Sequence, residues 1–173
     1  MDLVEILKRP EGKTLEFQRE LSSPASVLRT LVAFANTAGG TLVVGVEDRS
    51  RHVRGVPVPL DEEERLAHLI SDRIVPRIVP ELEILPWRRT QVLAVQVHPS
   101  AARPHHVASE GRDRGVYVRV GSTNRRADAE TVEELRRFAR GEAYDERPMP
   151  ELDSEALDFR AASESFAPAE ASA

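Results

Sequence analysis

The chain has 173 residues, 40% of them apolar and none of them cysteine. It therefore supports one sizeable core and excludes disulfides, thiol nucleophiles and cysteine-ligated zinc or iron–sulfur sites. No apolar run reaches the length of a membrane span and residues 1–10 are too densely charged for a signal peptide, which points to a cytoplasmic protein with no membrane partner. The formal charge of −5 is unevenly spread: residues 1–150 balance 23 basic against 23 acidic side chains, six acids against Arg160 follow from Glu151 onward, and residues 88–126 hold eight arginines against Glu110 and Asp113.

The spacing of Leu3, Ile6 and Leu7 predicts a short helix over Asp2 to Lys8, stopped before Pro10. Thr14 to Gln18 alternates Leu15 and Phe17 with Glu16 and Gln18, a short strand whose carboxylate faces away from the core. Ser22 or Ser23 caps a helix with Pro24 in its first turn and an apolar stripe from Val27 to Ala35. The pair Gly39-Gly40 then turns the chain into a buried strand, Thr41 to Val46.

Beyond the loop from Glu47 to Gly55, a helix is predicted from Asp61 to about Val75, acidic in its first turn and with Arg73 near its end, as the macrodipole favours. Glu81 to Leu85 and Gln91 to Val97 read as two strands of a hairpin around Pro86 to Thr90, with Trp87 either packed on the hairpin or free to stack a base. Arg103 to Gly115 reads as a long polar loop. A strand from Val116 to Val120 follows, with Tyr117 and Arg119 opposite the three valines, and Asp128 caps a last helix, Ala129 to Arg140. From residue 146 to 173 an acidic Pro/Ala/Ser-rich tail is expected to be disordered, leaving residues 1–145 as one α+β domain.

The most specific string is Phe34-Ala-Asn-Thr-Ala-Gly-Gly-Thr-Leu-Val-Val-Gly-Val-Glu-Asp48, a helix running through a double glycine into a strand that ends on paired acids. It lacks the Lys and Ser/Thr of a P-loop and the spacing of a dinucleotide fingerprint, so the glycines are either a sharp corner or a phosphate cradle. The string resembles the signature of the Schlafen-type Alba-like domain. Glu11-Gly-Lys-Thr-Leu-Glu16-Phe-Gln resembles that family's first strand, and Val116-Tyr-Val-Arg-Val-Gly-Ser-Thr-Asn-Arg-Arg-Ala127 resembles its aromatic-x-R-x-G-S element. The resemblance runs from about Leu3 to Arg140 and departs at Gln18, where the family usually has lysine.

The resemblance implies an Alba-like fold, a mixed and mostly antiparallel sheet packed with three to four helices, and a DNA- or RNA-binding domain of a transcription-regulator-like protein. It also implies that such a domain opens a longer, ATP-binding chain and commonly dimerises. Arg88, Arg89, Arg103, Arg114, Arg119, Arg125 and Arg126, with Ser122, are the candidate phosphate contacts, and this binding requires no cofactor. His98, His105 and His106 are expected either to reinforce them or to be surface residues. In vertebrate Schlafens with ribonuclease activity, acids at positions resembling Glu11, Glu16 and Asp48, with Glu47 beside them, hold a divalent metal. A metal-dependent endoribonuclease using Mg²⁺ or Mn²⁺ is therefore the enzymatic alternative, and an oligomerisation module pairing with itself as a homodimer is the third. Each acid also has a plain reading, as a solvated residue beside a strand or in a turn.

Overall fold

The computed structural model describes residues 1–141. The expected tail boundary at residue 146 lies outside them. Helix α1, Leu3–Lys8, is capped by the Asp2 carboxylate, which accepts from the Val4 amide at 2.8 Å. Strand β1, Leu15–Gln18, runs parallel to β2, Gly40–Val44; between them lies α2, Pro24–Asn36. Ser23 stands at the N-cap of α2 without a side-chain hydrogen bond, and Pro24 fills the first turn. Helix α3 spans Pro59–Arg73, and strand β3, Ile74–Val75, follows it directly. The helix thus ends two residues before the predicted Val75, because Pro76 forces its predecessor into extended backbone.

Strands β4, Glu81–Trp87, and β5, Thr90–Val97, form the expected hairpin, but they are longer than their sequence signal and meet at a turn of only Arg88 and Arg89. Arg88 takes φ +51°, a left-handed turn position. Pro86 lies inside β4, which is permitted because the sheet order β1-β2-β5-β4 leaves β4 on an edge. The predicted polar loop from Arg103 to Gly115 is in fact ordered. It contains strand β6, His106–Val107, paired to β3, then a 3₁₀ turn over Ala108–Glu110 and helix α4, Gly111–Arg114. Strand β7, Tyr117–Val120, turns through Gly121 and Ser122 into β8, Thr123–Arg126, a strand the sequence reading did not include. Helix α5, Ala129–Arg140, matches its expectation, with the Asp128 carboxylate accepting from the Thr131 amide.

Both faces of the four-stranded sheet are covered. Leu42, Val44, Leu93 and Val95 pack with the apolar stripes of α2 and α3, while Leu15, Phe17, Val43 and Val92 pack with Leu3 and Ile6 of α1. A third cluster joins Val116 to Val132 and Leu135 of α5. Two-sided burial explains why β2 reads as an unbroken apolar run. It also means that Glu16, opposite Leu15 and Phe17 on β1, faces a second packed layer and is only 21% exposed.

Candidate functional site

The three strings singled out in the sequence meet on one buried knot. The Asn36 side chain donates to the carbonyls of His105 and Tyr117, each at 2.9 Å, and accepts from the His105 amide at 2.7 Å, so the end of α2 is stapled to β6 and β7. Arg119 of β7 is 3% exposed and spends its guanidinium internally: it donates to Gly12 O at 3.1 and 3.0 Å, to Asn124 Oδ1 at 2.8 Å and to the Glu16 carboxylate. Its plane also lies over the Phe34 ring at 5.3 Å. Gly40 completes the knot, because a Cβ there would stand 2.6 Å from two Phe34 ring carbons. Gly39, at φ +74°, turns the chain out of α2. The double glycine is therefore a corner, and its second member makes room for an aromatic ring.

Arg119 is accordingly withdrawn from the candidate phosphate contacts, since a guanidinium with no solvent-facing donor cannot reach a ligand. Arg103 is half-buried: it donates to Asn36 O at 3.3 Å, stacks 3.6 Å over Phe138, and burial pulls its pKa below the usual guanidinium value. The predicted surface histidines divide. His98 is exposed beside Glu81 at 3.2 Å, whereas His105 and His106 are buried. His105 Nδ1 lies 2.7 Å from Pro76 O, which makes it the protonated nitrogen, and burial holds the ring's pKa below the ordinary histidine value.

The remaining basic candidates are exposed but do not form one patch. The Arg88-Arg89 turn joins β4 to β5 at the C-terminal end of β2, on the sheet edge away from β1, and Arg88 lies 5.8 Å over half-buried Trp87. The β7–β8 hairpin docks across the opposite edge strand, near the start of β1. Within that hairpin Arg125 pairs across from Val118 and Arg126 from Tyr117, so the two neighbouring arginines project from opposite faces. Ser122 and Thr123 are exposed at its tip and Arg114 is exposed at the end of α4. Among the described residues Arg88, Arg89, Arg112, Arg114 and Arg125 form no ion pair. Arg29 is engaged: Glu110 accepts from it at 2.8 Å and from the Tyr117 hydroxyl at 2.6 Å. Burial works against the Glu110 charge, but these two donors outweigh it and hold the carboxyl below its usual range.

The acids also come close to one another. Glu11 accepts from the Phe17 amide at 2.7 Å and shares a hydrogen bond with the Asp48 side chain, with the charge of Glu16 nearby. Burial, then the contact with Asp48, push the Glu11 carboxyl up to about 7. As placed, they do not fit a three-carboxylate metal centre: Glu16 is tied to Arg119, Glu47 is tied to Arg54 at 2.8 Å and to Ser50, and no group of three His, Asp or Glu among the described residues is set to hold a metal ion. A carboxyl whose pKa is raised in the folded state binds its proton more tightly there than when unfolded. Its contribution is therefore favourable below about pH 4.5 and is lost as pH rises through about 7. Relative to wild type, Glu11→Gln is expected to gain stability as pH rises from 5 to 8, read as a widening difference in melting temperature; a difference that stays constant with pH would remove the pair as a pH-sensitive contact.

Comparisons with known proteins agree with this architecture. The family model described as Schlafen, AlbA_2 matches residues 11–128. The chain is similar to the crystal structure of the DIP2311 protein from Corynebacterium diphtheriae, at 22% identity and a TM-score of 0.58, covering 78% of this chain but only 27% of that one. It is also similar to the solution structure of the N-terminal domain of a RecG-related protein from Nitrosomonas europaea, at 24% identity and a TM-score of 0.54, covering 71% of this chain and 91% of that domain. No curated protein matches the chain significantly. With the family match extending from Glu11 of the carboxyl pair to the Asp128 cap of α5, and the Phe34, Asn36 and Arg119 knot inside it, the chain belongs to the Schlafen, AlbA_2 family.

Proposed function

We propose that this domain binds nucleic acid through the phosphate backbone, with Arg114, Arg125 and Arg126 and the Ser122 hydroxyl as its contacts, and serves as a regulatory module of a longer protein. The observation that carries the reading is the exposure of three arginines on two neighbouring segments of the chain, Arg114 on α4 and Arg125 and Arg126 on β8. Arg114 and Arg125 have no ion-pair partner among the described residues. A guanidinium in water loses little on meeting a phosphate and gains two parallel hydrogen bonds. Family membership supports the same reading, as does the likeness to a domain from a protein named for an ATP-dependent DNA helicase. Because the contacts are to phosphate, duplex DNA and structured RNA both satisfy them.

Three phosphate contacts predict that log affinity falls with log salt concentration at a slope of about −2 to −3. Replacing Arg125 and Arg126 together by alanine is expected to weaken binding to every sequence alike and to shallow that slope by about 2. Fluorescence anisotropy on labelled duplex DNA and hairpin RNA at several salt concentrations measures both. Affinity unchanged in the double variant would overturn the assignment. Cleavage of the RNA in Mn²⁺, abolished by Asp48→Asn, would replace binding alone with the nuclease reading. Asp48 is the informative position, because Glu16→Gln would also disturb Arg119 and confound catalysis with folding.

A further inference from the structure

A cavity of about 270 Å³ opens beside the β3–β6 ribbon, walled by Val75, Pro76, Pro104, His106, Arg112 and Arg136. Its side chains carry two guanidinium groups and an imidazole, and among the described residues no carboxylate lines it. The other charged cavities differ: one sets Arg19 with Glu20, Glu47 and Asp48, a second sets Arg19 and Arg54 with Glu20 and Glu62, and a third sets Arg9 with Asp2 and Glu5. Like charges crowded into a concave wall focus a positive potential, which favours an anion over water.

The walls are also held in position. His106 is buried, and its backbone pairs with Val75 across the β3–β6 ribbon, which fixes its place in the wall. Arg112 forms no ion pair among the described residues, and Arg136 meets only Glu133, at 3.4 Å on the exposed flank of α5. A surface pair of that kind contributes little and yields readily to a stronger acceptor. Two guanidinium groups from separate elements match the oxygens of a tetrahedral dianion, and the volume lies just under the roughly 300–1,000 Å³ of sites that enclose drug-sized ligands.

We propose that this cavity binds a phosphate monoester, and that in the nucleic-acid complex it takes the terminal phosphate of a strand. The second half rests on the function proposed above, while the first stands without it. The same chemistry could reach the site as free phosphate, so the test separates the two sources.

With the full chain, anisotropy titrations compare one short single strand carrying a 5′-phosphate, a 3′-phosphate or neither, and ³¹P NMR follows inorganic phosphate. A strand phosphorylated at one end is expected to bind at least about tenfold tighter than the unphosphorylated strand. Arg112→Ala with Arg136→Ala is expected to abolish that preference while leaving the unphosphorylated strand's affinity and the melting temperature unchanged, since both side chains are exposed. Arg125→Ala with Arg126→Ala is expected to do the reverse, lowering affinity for all strands and keeping the preference. Equal affinity for all three strands, with no phosphate signal in the NMR titration, would overturn the proposal and leave strand binding intact. Phosphate binding that the Arg112 and Arg136 variant removes, with no strand bound at all, would keep the anion site and overturn strand binding.

Discussion

Arg119→Met is expected to cost about 3–5 kcal/mol, the loss that follows when one partner of a buried ion pair is removed, out of the roughly 5–15 kcal/mol available to a domain. Methionine fills much of the volume and keeps the contact with Phe34, so the loss isolates the polar role. Glu16 is left without its cation, and the Gly12 carbonyl loses two donors. Arg119→Lys is expected to recover only part, because one ammonium cannot serve Gly12, Asn124 and Glu16 in the geometry of the guanidinium fork. Chemical denaturation of the full chain measures both, with Arg125→Ala as the exposed comparison, expected within about 0.5 kcal/mol of wild type. Unaltered stability in Arg119→Met combined with lost nucleic-acid affinity would return Arg119 to the binding surface.

The second large effect falls on Asn36. Substitution by alanine leaves the His105 amide and the carbonyls of His105 and Tyr117 without partners in the interior. Each costs about 1–3 kcal/mol, so a total of at least about 3 kcal/mol is expected. Asn36→Asp is the sharper experiment. A carboxylate still accepts from the His105 amide but presents negative charge to two carbonyl oxygens, so this nearly isosteric change is expected to be at least as damaging as alanine. Amide hydrogen exchange gives an independent readout: with the staple lost, β6 and β7 are expected to exchange well before β2 and β5. A variant with wild-type protection in those strands would show that the staple is dispensable.

Where the sequence was legible, one physical signal dominated. Helix α5 could be read to the residue, because an Asp cap, an apolar stripe and charged flanks all agree, and β2 followed from five consecutive residues buried between two layers. Strand β6 was illegible because two residues carry no period, and β8, Thr-Asn-Arg-Arg, has no apolar residue at all. It forms only because the Gly121-Ser122 turn lays it along β7. The same gap distorted the view of the site. Arg119 and Glu16 looked like solvent-facing members of alternating strands, since a period of two reports which residues share a face but not what covers it. The cue that was present is chemical: one arginine among three valines in a strand whose other face also had to be buried. The cavity between Pro76 and Pro104 drew its walls from β3, β6, α4 and α5, and no local pattern could have gathered them.

The two edges of the main sheet bear on how copies of this chain can meet. On β4, Pro86 offers no N–H to an incoming strand, and Glu81 and Glu83 place exposed negative charge along the same edge. On β1 the Arg119 guanidinium reaches over the Gly12 and Leu15 carbonyls. The sheet is thereby closed to growth by strand addition from either side. Self-association of copies is then expected to use other surfaces, such as the β7–β8 hairpin or the outer face of α5, where Phe138 is 57% exposed.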